Sequence, residues 1–175
     1  MPTYVAFLRA VNLGARRKFP KADLVAATEA AGATGVATHI NTGNVLLTTS
    51  LRSRTKVEAV LEAAYEADRG FAVPTIVLTP EEVCRVVADA DELDHGGRHY
   101  VSLLKQAPDA EATALIEAAG AEGERAVVRD RAVHLLLGEE YHSATVTNAE
   151  VEKALGVATN RSLTVLRAIA AKWCS

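Results

Sequence analysis

The stretch Val36-Ala37-Thr38-His39-Ile40-Asn41-Thr42-Gly43-Asn44-Val45-Leu46-Leu47-Thr48-Thr49 decides the fold. Two short β-favouring runs, Val36 to Ile40 and Val45 to Thr49, flank Asn41-Thr42-Gly43-Asn44. The Gly and Asn tolerate the positive φ of a tight turn, so the segment reads as a hairpin. Upstream, Tyr4 to Val11 is the nearly continuous apolar run of a strand buried on both faces. A basic loop, Arg16-Arg17-Lys18, then leads to a helix opened by Pro20 and stopped at Gly32. Downstream of the hairpin, Thr55 and Glu58 form a capping-box pattern for a helix reaching Gly70, and Phe71 to Leu78 returns to strand. The order β-α-β-β-α-β is the split β-α-β, or ferredoxin-like, arrangement of one sheet with two helices on one face.

Beyond it, Thr79-Pro80-Glu81-Glu82 is a second capping box, starting a helix with Val83, Val86 and Val87 as its stripe. The polar stretch Asp89 to Arg98 reads as a linker, which divides the chain into units 1–88 and 99–175. From Tyr100 the pattern repeats: strand to Leu104, helix Asp109 to Ala119, a hairpin of Arg125 to Val128 and Ala132 to Leu137, and a helix from Thr147 to Gly156. A last helix carries Leu163, Leu166, Ile169 and Trp173. The expected fold class is therefore α+β: two ferredoxin-like units with mainly antiparallel sheets, plus a C-terminal helix.

Composition bounds the function. A chain of 175 residues, 49% hydrophobic and 23% charged, is an ordinary globular protein. Its net charge of -3 supplies no bulk positive field for nucleic acid. No apolar run approaches the length of a membrane span. Met1 to Tyr4 leads straight toward a strand without a basic leader, so a cytoplasmic location is expected. Cys84 and Cys174 lie far apart in sequence on helical patterns, with Cys84 read as core, and both are expected to be reduced. The five histidines show no metal spacing, no metal is assigned, and His134 reads as a strand residue facing solvent.

Three polar stretches interrupt the regular elements with groups suited to an anion. The first holds Arg9, Asn12, Gly14, Arg16 and Arg17, the second Asn41, Gly43 and Asn44, and the third Asn160 and Arg161. In a split β-α-β sheet the third strand lies antiparallel beside the first, which brings the first two stretches to one edge. Asn160, Arg161 and Ser162 read as the N-terminus of the last helix, with the same anion-holding chemistry. Asn and Gly are also the default residues of turns and caps, and an Arg in an apolar strand also fits a structural ion pair.

These same segments resemble the bacterial DUF1697 family over nearly the whole chain. The matching motifs are Leu8-Arg9-Ala10-Val11-Asn12-Leu13-Gly14, Asn41-Thr42-Gly43-Asn44-Val45 and Thr159-Asn160-Arg161-Ser162-Leu163-Thr164-Val165, in the family's order. Ala10 stands where the family pattern carries Gly, Thr42 where it carries Ser, and Asn160-Arg161 reverses its Arg-Asn order. The resemblance implies the fold and the site, and no reaction.

Three classes of function remain. The first is binding of an anionic small molecule, a nucleotide or phosphorylated metabolite, at the Arg/Asn/Gly edge. The second is an RNA-binding module, disfavoured by an aromatic content of only 5%. The third is a structural or interaction protein, monomeric or homodimeric, without ligand. No acid, base or nucleophile is placed by a motif, so catalysis and any cofactor are left open.

Overall fold

The computed structural model describes residues 1–174, and the chain divides into two units, one ending at Glu82 and the other beginning at Val83. The first contains β1 (Thr3–Leu8), α1 (Lys21–Ala30), β2 (Thr34–Thr38), β3 (Asn44–Thr48), α2 (Arg54–Arg69) and β4 (Thr75–Leu78). Its strands order as β2-β3-β1-β4, every neighbour antiparallel, which is the expected split β-α-β sheet. Alternate residues of β1 divide between the faces. Tyr4, Ala6 and Leu8 join Leu24 and Ala27 of α1 and Val57, Leu61 and Tyr65 of α2 in one apolar cluster. The Tyr65 hydroxyl meets the Thr28 hydroxyl at 2.8 Å, and burial raises its pKa far above the ordinary phenol range.

The helix of the Thr55–Glu58 pattern begins about two residues earlier than expected: Ser53 is the N-cap, its Oγ accepting from the Lys56 amide. Glu58 does other work. β4 is an edge strand, and two of its amides are met by α2 carboxylates: Val77 N–H donates to Glu58 Oε2 at 3.1 Å and Thr75 N–H to Glu62 Oε1 at 3.0 Å. Positions four apart on a helix match positions two apart on a strand, so the edge is covered rather than left as a template for pairing. Glu58 is 1% exposed and lies 3.4 Å from Arg54. Glu58→Gln removes the charge that both contacts use, and an equilibrium loss of about 1–2 kcal/mol in urea unfolding is expected. Unchanged stability would show that the edge does not depend on the carboxylate.

After β4 the chain enters α3 (Pro80–Leu93), opened by the reciprocal bonds of Thr79 and Glu82. Residues 89–93 of the expected linker are its last turns, and the units divide nearer its start, after Glu82. The polar residues there are the helix's exposed face rather than a connecting loop.

The second unit continues with β5 (Arg98–Leu104), α4 (Ala110–Glu117), β6 (Arg125–Arg129), β7 (Ala132–Leu137), α5 (Asn148–Leu155), β8 (Ala158–Ser162) and α6 (Leu163–Trp173). Its strands order as β6-β7-β5-β8, again antiparallel throughout, repeating the first sheet's connectivity. The sequence reading lacked β8. The segment expected as a helix N-terminus is an edge strand, and Ser162 ends the strand while its Oγ caps α6 through the Val165 amide. Leu104, Val133, Leu135 and Leu137 pack with Ile116, Val151 and Leu155 on the face that carries α4 and α5. Among the described residues no helix is long and apolar enough to cross a membrane.

Candidate functional site

Two loops meet at one end of the first sheet, and Asn12 is the clasp. Its Nδ2 donates to Phe19 O at 3.0 Å and to Asn41 O at 2.8 Å, and its Oδ1 accepts from the Phe19 amide at 2.7 Å. Its own amide donates to Arg17 O at 2.9 Å, closing the loop. Across the sheet, Phe7 pairs with Asn44, and Leu8 N–H donates to Gly43 O at 2.8 Å. The chain end of β1 and the turn before β3 are therefore one structure.

Most of the polar side chains singled out in these loops are engaged in holding it. Asn44, fully buried, donates from Nδ2 to His39 O and to Thr42 Oγ1. Arg17 donates from Nε to Ala10 O at 2.7 Å and from Nη2 to Ala72 O at 2.6 Å, with its guanidinium 4.6 Å from the Phe71 ring centroid. Gly43 has φ +77°, and a Cβ there would meet Leu8 Cβ and Val11 Cγ2 at 2.8 Å. Gly14 has φ +68° and faces open space. What the assembly presents outward is Leu13, 67% exposed, with Gly14, Arg16, Ile40 and Asn41, while Arg9 is half-buried.

The backbone is costly. Four of the six described non-glycine residues with positive φ are in these two loops: Ala10, Asn12, Arg17 and Ile40. Asn tolerates that region, whereas Ala and β-branched Ile do not, and each costs on the order of 1 kcal/mol or more. Ala10 is the position at which the family pattern has glycine, the residue its φ of +57° favours.

Asn160 and Arg161 belong to the second unit, and β8 sends them to opposite faces of its sheet. Asn160 donates to Ser102 Oγ at 3.4 Å, Ser102 Oγ donates to Asn148 Oδ1 at 2.8 Å, and Asn148 Nδ2 donates to Ala158 O, so Asn160 belongs to a network binding β5, β8 and α5. Arg161, 6% exposed, donates to Thr159 Oγ1 and Asn160 O, and burial lowers its pKa to about 10. The segment leads into α6 as expected, with Ser162 as the cap, but Asn160 and Arg161 reach it as consecutive residues of a strand and so point to opposite faces of the sheet.

One polar cluster escaped the sequence reading. His134, expected to face solvent, is 0% exposed, and its Nδ1 is 2.9 Å from Nε2 of His99, itself 7% exposed. Their outer nitrogens, His99 Nδ1 and His134 Nε2, have no hydrogen-bond partner. Burial, ahead of the neighbouring charges, lowers both pKa values to about 4, so both rings are neutral at pH 7. Among the described residues, no group of three or more His, Cys, Asp or Glu is arranged to hold a metal.

Two four-stranded antiparallel sheets of the same strand order, each with its helices, place the chain in the α+β class. The family model described as "Protein of unknown function (DUF1697)" matches residues 1–134, and the chain belongs to that family. The solved structure of the conserved bacterial protein SP0830 from Streptococcus pneumoniae is similar in fold, with a TM-score of 0.78 at 20% identity, covering 100% of this chain and 99% of that one. A comparison with curated proteins gives no match.

Proposed function

We propose that the double loop of the first unit binds a small anionic ligand, a nucleotide or a phosphorylated metabolite, in the cytoplasm. The supporting observation is the clasped pair of loops, in which four non-glycine residues adopt left-handed backbone. Strain of that kind persists only where the surrounding contacts over-determine it, and it collects at ligand clamps. Residues 9–22 add five basic side chains, Arg9, Arg16, Arg17, Lys18 and Lys21, and no acidic one, in a protein of net charge -3. In this reading Asn12, Arg17, Gly43 and Asn44 are positioning residues. Arg9, Arg16, Asn41 and the exposed turn at Gly14 meet the ligand, with guanidinium groups supplying charge-assisted hydrogen bonds. Asn160 and Arg161 are assigned to the framework of the second sheet.

The test is a titration of the protein with inorganic phosphate and with adenosine diphosphate, followed by amide NMR. Saturable shifts are expected at residues 12–16 and 40–44, and Arg16→Ala, an exposed position, is expected to weaken binding by roughly 3- to 10-fold without lowering the melting temperature. Shifts confined to other parts of the chain, or none up to about ten millimolar of either anion, the weak end of specific binding, would sink this reading.

A further inference from the structure

The two cysteines, distant in sequence, meet in the second unit. Cys84, on the first turns of α3, is exposed, and its Sγ lies 3.5 Å from the backbone oxygen of Cys174, the residue that ends α6. Cys84 was expected in the core. It lies instead on the face of α3 turned toward the end of α6. One level along, Asp91 of α3 accepts from Arg167 of α6 at 2.8 Å, so the two helices run side by side in opposite directions, with 84 beside 174 and 91 beside 167. A carbonyl oxygen is about 2.4 Å from its own Cα, which puts Cys84 Sγ within about 6 Å of the Cys174 Cα. Closing the bond requires the Cys174 side chain to rotate and the end of α6 to draw in toward α3 until the two Cα atoms come within the span that disulfides allow.

We propose that Cys84 and Cys174 form a reversible redox staple joining α3 to the end of α6. The oxidant is a small-molecule disulfide of the glutathione class. The exposed Cys84 thiolate attacks one of its sulfurs, breaking that S–S bond, releasing one small thiol and leaving a mixed disulfide on Cys84. The Cys174 thiolate then attacks Cys84 Sγ, the mixed disulfide breaks, and the second small thiol leaves. Two protein thiols are oxidised to one disulfide, the small disulfide is reduced to two thiols, and the two protein protons pass to them. The closed form ties the end of α6 to the start of α3 and removes chain entropy from the unfolded state. In a reducing compartment such a bond is transient, as a sensor requires.

The experiment equilibrates the full chain with mixtures of reduced and oxidised glutathione and reads intact mass, non-reducing peptide maps and melting temperature. A protein lighter by two hydrogens, with the peptides of Cys84 and Cys174 linked and the melting temperature raised, is the expected result. The variants Cys84→Ser and Cys174→Ser are each expected to carry one glutathione instead, only at an oxidised-glutathione level at least about tenfold higher, and to show no such rise. Circular dichroism of both variants controls for folding. A parent that takes one glutathione on each cysteine, that forms dimers linked between chains, or that stays reduced where the single variants already carry glutathione, overturns the proposal.

Discussion

Between pH 7 and pH 4 the second unit is expected to lose stability, on the order of a few kcal/mol, as the coupled imidazole pair His99–His134 is driven to take up protons. Both are buried, share one hydrogen bond of 2.9 Å and have pKa values lowered to about 4, first by desolvation and then by His95 and Arg167 for His99, and by His99 and Arg129 for His134. The unfolded chain protonates these rings near pH 6.5, whereas the folded chain resists until about pH 4. Between those values the unfolded state binds more protons, so the stabilisation is complete above pH 6.5, falls as the pH drops, and is gone below 4. Glu124, whose carboxylate is held below the usual range by the Thr145 and Val146 amides, adds a separate loss only at lower pH. Urea unfolding across this range is expected to show stability falling steadily as the pH drops from about 6.5. His134→Gln is expected to reduce that fall. A stability profile flat from pH 7 to pH 5 would show that the rings are not held neutral.

The second large effect is expected at the hairpin turn. Gly43→Ala places a methyl 2.8 Å from Leu8 Cβ and Val11 Cγ2 in a residue with φ +77°. Leu8 Cβ is fixed to the central strand β1 and cannot retreat as the tip of a flexible side chain would. Overpacking and left-handed strain add to about 3 kcal/mol. Gly14→Ala is the internal control: φ is similarly positive at +68°, but nothing lies within 4 Å, so only the backbone term of about 1 kcal/mol applies. Thermal unfolding of the two variants side by side separates the terms. Equal losses would mean that the close approach of the turn to β1 has no energetic weight.

The first unit was readable because its signals agree: a hairpin with Gly at the turn, a helix bounded by Pro20 and Gly32, an amphipathic helix and apolar strands lead to one connectivity. The second was readable only in part. β8 carries Thr159, Asn160, Arg161 and Ser162, whose polarity suits a loop and whose last residue is a real helix cap, and it is a strand because Ser102 and Asn148 supply partners from elsewhere in the fold. His134 was misplaced for the converse reason. Every residue of β7 is buried, so apolar alternation carried no information about which face is wet. At the double loop the neighbouring of the β1 end and the turn before β3 followed from topology alone. The division of labour there did not, because whether an Asn binds a ligand or clasps two loops depends on carbonyls such as Phe19 O and Asn41 O that only the folded chain brings within reach.

β8 passes into α6 without a connecting residue: Ser162 is the last of the strand and Leu163 the first of the helix. Such a joint has no slack. A helix tethered by a loop can shift while its sheet stays still, but α6 can tilt only by turning about the backbone of Ser162 and dragging the strand's hydrogen bonds with it. α6 is thus a stiff crank whose far end is at Cys174 and whose near end is the edge of the second sheet. Mechanical coupling along it needs no pathway of side chains, because the covalent chain itself is the transmission.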